Sequence, residues 1–113
     1  PDKLKKYPDI KKWYEDYNSL PSEMNPSGMK EIIEELDFAA YWGRENNRPV
    51  WLGEFGVTTN ADAASRVRWT EFLAREAEKR GMTWAYWDFG GACKIYDIKN
   101  DKWNQELLKA LIK

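Results

Sequence analysis

A chain of 113 residues is long enough for one domain with a modest core. Its 18 lysines and arginines against 19 aspartates and glutamates, with no long run of either sign, leave no footprint for nucleic acid or another polyanion, nor for a membrane surface. The single Cys93 excludes an internal disulfide framework, and without histidine a zinc site would need carboxylates and one thiol, so no metal and no other cofactor is expected.

The start, Pro1-Asp2-Lys3-Leu4-Lys5-Lys6, has no apolar core that could act as a secretion signal, and no stretch is long and apolar enough to span a membrane. Residues 1–25 mix Lys, Asp, Tyr and Trp with Pro8, Pro21 and Asn25-Pro26, which reads as a loop with a short helix at most. From Pro26 the pattern changes. Met29, Ile32, Ile33, Leu36 and Ala40 fall on one helical face, predicting a helix over about 27–46, with Asn25 as N-cap and Pro26 at the first helical position.

Asn46-Asn47-Arg48-Pro49 ends that helix, and Val50 to Phe55 reads as a short apolar strand of the kind buried in parallel sheets. A loop over 56–61 leads to a second helix carrying Trp69, Phe72, Leu73 and Ala77 on one face, with Asp62 as cap and Gly81 at the stop. Thr83 to Phe89 is a second, aromatic strand. The loop Gly90-Gly91-Ala92-Cys93 and a short Ile95-Tyr96 follow, then a third helix from near Asp101 with Leu107, Leu108 and Leu111 on one side. Helix, strand, helix, strand, helix is an α/β order that gives parallel strands through right-handed crossovers.

Glu54 ends the first strand, and in α/β barrels the C-terminal end of the sheet is where active sites are built. Strict alternation puts Val50 and Leu52 on the side of Glu54, facing inward, and Trp51 outside against helices. In the second strand it turns Thr83, Ala85 and Trp87 inward and Trp84 and Tyr86 outward, so Trp87 is expected near Glu54. An indole beside a carboxylate suits a pyranose ring, whose axial C–H groups pack on aromatic surface. On position alone, Glu54 also fits a solvated strand-end charge and Trp87 an ordinary core tryptophan. The 7 tryptophans and 6 tyrosines exceed what a small core needs, and such surplus suits flat, hydroxylated ligands.

Pro49-Val50-Trp51-Leu52-Gly53-Glu54-Phe55-Gly56 resembles the strand-seven motif of glycoside hydrolase family 5, the family of endoglucanases and mannanases. Arg66 to Trp69 resembles the Arg-x-x-Trp of the next helix, Ala85-Tyr86-Trp87-Asp88-Phe89 strand eight, Ile95-Tyr96-Asp97 the loop after it, and Trp103-Asn104 with Leu107 to Leu111 the final helix. The resemblance implies the C-terminal segment of a (β/α)8 TIM barrel: helix 6, strand 7, helix 7, strand 8 and helix 8 over residues 26–113, with 1–25 as the loop before helix 6. A whole barrel takes roughly 250 residues, so the reading is of a piece.

The resemblance further implies a retaining endo-β-1,4-glucanase in which Glu54 is the nucleophile, Trp87 the floor of the cleavage subsite, and Asp88 a supporting or substrate-binding residue. The family's acid, in an Asn-Glu-Pro motif on strand four, has no counterpart, because Glu23-Met24-Asn25-Pro26 has similar letters in the wrong order. Activity is therefore expected only when an N-terminal barrel segment completes the site on a β-glucan. Relatives tend to carry a glycine-rich run ending in Phe-Gly where this chain reads Gly-Gly-Ala-Cys-Lys over 90–94. Two other readings stay open: a carbohydrate-binding module using Trp13, Tyr14, Trp87 and Tyr96 as a stacking surface, and a half-barrel that pairs with another copy. The family resemblance implies secretion, though the chain carries no address of its own.

Overall fold

The computed structural model describes residues 6–21 and 23–112, so expectations for Pro1 to Lys5, Ser22 and Lys113 fall outside the described residues. The chain forms two compact units that meet between Phe38 and Ala39.

The first unit is more helical than the expected loop with a short helix at most, since Pro8–Ser19 forms a helix of 12 residues, α1. The signals for it are in the sequence. Pro8 sits at the helix start, where its missing N–H costs nothing, and Pro21 follows soon after the stop at Leu20. Ile10, Trp13, Tyr14 and Tyr17 keep helical spacing, and the Trp13 and Tyr17 rings stack with centroids 5.3 Å apart. Lys11–Glu15 and Lys12–Asp16 add ion pairs one turn apart, both exposed and therefore weak.

A second helix, α2, runs over Met29–Glu45 and starts later than the pattern predicts. Asn25 does not cap it. Its side-chain oxygen accepts from the Ser27 N–H and its amide donates to the Tyr17 carbonyl, so Asn25 and Pro26 build a turn ahead of the helix. Leu36, Ala40 and Gly43 are the buried positions of α2. The helix ends as expected at Asn46-Asn47, with Asn47 at φ 50, in the left-handed region that asparagine tolerates.

In the second unit, Trp51–Phe55 forms β1, Ala63–Lys79 forms α3, and Thr83–Tyr86 forms β2. β1 and β2 pair in parallel, as the crossover through α3 requires. Asp62 caps α3 by accepting from the Ser65 N–H at 2.9 Å, and Gly81, at φ 71, closes its C-terminus. Leu73, Ala74 and Ala77 of α3 are buried, and the two alanines are fully covered where the helix meets β2 and the last helix. That helix, α4, spans Gln105–Leu111 and contributes Leu107, Ala110 and Leu111.

Two expectations fail at the C-terminal end. β2 stops at Tyr86, and between it and α4 lies an antiparallel hairpin of β3, Tyr96–Asp97, and β4, Lys102–Trp103. Asp101 does not begin the helix, since at φ 50 it shapes the hairpin turn, and α4 starts four residues later under an Asn104 side chain that accepts from the Leu107 N–H.

Glu76 of α3 is buried and paired with Arg80 at 2.8 Å and with Lys79. Its carboxyl is held below the ordinary value of 4.5, first by the hydrogen bond from Lys79 and then by that from Arg80. A carboxylate with a depressed folded pKa stabilises the native state above its ordinary value, and that contribution is lost as pH falls through the folded value. The expected result is that Glu76→Gln lowers the thermal midpoint at neutral pH and that the difference from wild type shrinks below about pH 4.5. A difference independent of pH would remove the ion pairs as its cause.

Candidate functional site

The register of the sheet decides what each residue at its C-terminal end faces. Trp51 lies beside Thr83, Leu52 beside Trp84 and Phe55 beside Tyr86, so β1 uses three steps where β2 uses two. Gly53 and Glu54 together oppose Ala85, which is a β-bulge in a parallel pair. Trp84 faces the helices, because its indole N–H donates to Glu78 of α3 and its ring meets Phe55 edge-on at 5.6 Å. Its neighbour Leu52 shares that face, and so do Phe55 and Tyr86.

The expected alternation is therefore corrected. Leu52 points toward the helices rather than inward, and Trp51 is not packed beneath them but is 66% exposed on the opposite face beside Thr83. Strict alternation from Leu52 would have sent Glu54 to the helix side. The extra residue restores it to the face opposite Phe55, which is only 5% exposed. Gly53 supplies the flexible member of the bulge, where a Cβ would meet nothing closer than the Trp51 ring at 3.7 Å.

Glu54 is exposed at this end of the sheet. Trp87, which follows β2, is 54% exposed, and its N–H donates to the Phe55 carbonyl at 2.7 Å, so its backbone is bonded to the residue next to Glu54. Gly56 allows this approach, because a Cβ there would stand 1.7 Å from the Trp87 carbonyl oxygen. The peptide between Trp87 and Asp88 is cis. Asp88 turns back on its own loop, its carboxylate accepting the Gly91 N–H at 2.8 Å. Of the aromatic set, Trp13 and Tyr14 lie on α1 of the first unit, while in the second unit Trp87 follows β2 and Tyr96 lies in β3.

Sequence reasoning found Arg66 only as the start of an Arg-x-x-Trp motif and missed that it ties these loops together. Arg66 of α3 is 6% exposed, yet among the described residues no carboxylate pairs with it. Its Nε donates to the Val57 carbonyl at 3.0 Å, and its Nη2 to the carbonyls of Cys93 and Lys94 at 3.2 and 3.3 Å. One guanidinium thus fastens the loop after β1 to the loop after β2, helped by the Thr59 N–H bonded to the Ala92 carbonyl. Tyr86 joins the cluster by donating to the Cys93 carbonyl at 2.6 Å. Burial pushes its phenol pKa up, and the adjacent Arg66 partly offsets this. The available signal was a charged residue at position 66 on the buried stripe of Thr70, Leu73 and Ala77.

With the geometry in hand, three comparisons bear on what this site belongs to. The family model described as cellulase (glycosyl hydrolase family 5) matches residues 13–92. Endoglucanase H of Acetivibrio thermocellus is 35% identical over 89 residues, covering 74% of this chain and 10% of that protein. Endoglucanase B of Clostridium cellulovorans is 33% identical over 87 residues, covering 68% of this chain and 20% of that protein. Endoglucanase Cel5A of the hyperthermophile Thermotoga maritima matches in structure with a TM-score of 0.72 at 46% identity, over 77% of this chain and 28% of that one. This chain thus spans only a tenth to about a quarter of the length of these relatives. It belongs to the cellulase family of glycosyl hydrolases, family 5, and α2, β1, α3, β2 and α4 are the C-terminal segment of that family's (β/α)8 barrel.

Proposed function

We propose that this chain supplies one half of a retaining endo-β-1,4-glucanase site, with Glu54 as the nucleophile and Trp87 as the floor on which the sugar ring being cleaved rests. The observation that carries the reading is the bulge at Gly53–Glu54, which sends an exposed carboxylate to the face away from the helices, next to β2 and the half-exposed indole of Trp87 that follows it. Attack by the carboxylate on the anomeric carbon forms a glycosyl-enzyme ester as the glycosidic C–O bond breaks. Water then hydrolyses that ester. A second carboxyl group roughly 5 Å away must protonate the leaving oxygen and afterwards deprotonate the water. In this proposal that group comes from an N-terminal barrel segment, and Asp88 acts by holding the Asp88–Gly91 turn beside Trp87. A polymeric glucan cannot enter a cell intact, so the proposed setting is extracellular.

The test is reducing-sugar release from soluble β-1,4-glucan by the chain mixed with the strand-one-to-six part of a related enzyme. Release is expected only from the mixture, with Glu54→Ala reducing it at least about 1,000-fold, the scale on which a missing nucleophile acts. Undiminished release with Glu54→Ala would reject Glu54, and release by the chain alone would reject the need for a second segment.

A second reading has its own observation. The β1–β2 sheet has two strands, so each offers an outer edge to another strand, and two copies could close on one another. A mass that doubles with concentration in sedimentation would favour that reading, and a monomer at all concentrations would exclude it.

A further inference from the structure

A cavity of about 210 Å³, with no Glu54 in its walls, lies between the loop after β1, α3 and the β3–β4 hairpin. That is below the roughly 300 Å³ at which drug-sized ligands begin to fit, so its occupant is one ring or a small ion. Trp103 forms one wall. Its indole is 41% exposed and is held by Phe89 and Tyr96, whose ring centroids stand 5.8 and 5.0 Å from it. A supported, half-open indole is a surface on which a pyranose ring stacks.

The charge on the other walls is unbalanced. Arg66, Lys94 and Lys102 face a single carboxylate, Asp97. That carboxylate is already occupied, accepting from the Lys99 N–H at 3.1 Å and from the Asn100 amide at 2.9 Å, with Lys94 at a longer 3.6 Å. Arg66 brings a buried positive charge whose donors reach carbonyl oxygens and the Tyr86 hydroxyl, neutral dipoles that screen it without cancelling it. Thr59 adds a hydroxyl at the rim.

We propose that this cavity binds a pyranose bearing a carboxylate, a uronic acid residue of an acidic polysaccharide, with the ring on Trp103 and the carboxylate toward Lys94 and Lys102. A neutral sugar would use the indole and leave the cations unmatched. A bare oxyanion would use the cations and leave the indole unused. The site stands independently of any role for Glu54, and it would anchor an acidic side branch while the main chain lies elsewhere.

The test is nuclear magnetic resonance titration of the full chain, following the indole N–H of Trp103, with methyl β-glucuronide, methyl β-glucoside and inorganic phosphate as separate probes. Methyl glucuronide is expected to shift that signal and to bind about tenfold more tightly than the glucoside, the scale of one hydrogen bond to a charged group. Lys102→Gln should erase this preference without disturbing the fold, and Glu54→Gln should leave it intact. Equal affinity for the two glycosides would overturn the role of the cations. Phosphate binding with the same affinity and the same indole shift would reduce the cavity to an ion site, and no shift with any probe would remove the site altogether. None of these outcomes touches the hydrolysis experiment with Glu54→Ala, so the two readings fail separately.

Discussion

Gly56→Ala is expected to lower the stability of the chain by at least about 3 kcal/mol, the upper range for forcing a methyl group into packed structure. The obstacle is rigid. The new Cβ would lie 1.7 Å from the Trp87 carbonyl oxygen and 2.9 Å from its carbon, and both are backbone atoms that cannot turn aside as a side chain would. Relief requires β1 and β2 to part where the Trp87 N–H bonds to the Phe55 carbonyl. Gly81→Ala is the control. At φ 71, with no neighbour within 4 Å of a built Cβ, it meets conformational strain alone and should cost about 1 kcal/mol. Thermal unfolding followed by circular dichroism measures both losses, and amide exchange at Trp87 locates the first. Equal losses in the two variants would mean that close approach at Gly56 is not what the glycine is for.

The second large effect is expected from Arg66→Met. The substitution keeps much of the packing volume but leaves the carbonyls of Val57 and Lys94 without this donor and that of Cys93 with the Tyr86 hydroxyl alone. Hydrogen bonds to a charged group contribute about 1.5–3 kcal/mol each, and water can re-solvate part of the opened loops, so a net loss of about 3 kcal/mol is expected. Arg66→Lys should recover less than half of it, because an ammonium on a flexible stem cannot span three carbonyls as a planar fork does. Tyr86 gives an independent reading. Arg66 holds its phenol below the value that burial alone would impose, so ultraviolet titration of Arg66→Met should show the phenol ionising at higher pH than in wild type. A phenol that does not move would break the inferred coupling between Arg66 and Tyr86.

Much of the second unit was legible because local chemistry and tertiary packing agree there. The α3 cap at Asp62, the stop at Gly81, the left-handed Asn47 and the helix-facing Trp84 and Tyr86 all follow from residue type and period. The bulge was not legible in the same way. Counting alternate residues assumes one partner per position, and only the pairing with β2 reveals that Gly53 and Glu54 share Ala85. Glu54 still ends on the anticipated side, while Trp51 and Leu52 exchange faces. The hairpin was hidden because each of its strands has two residues, too short for any period to register. The length of α1 was underestimated for a different reason: its repeating residues are Trp13, Tyr14 and Tyr17, exposed aromatics that read as loop when an aliphatic stripe is sought.

On the two loops that it joins, the latch formed by Arg66 grips main-chain oxygens, and every residue type, proline included, carries one. Nothing in it inspects the side chains of the segments it holds. The letters at Cys93 and Lys94 could therefore be rewritten without unfastening the two loops. A fold built this way separates anchoring from recognition, and evolution can exchange what the rim of the barrel touches while the hinge point beneath it stays fixed.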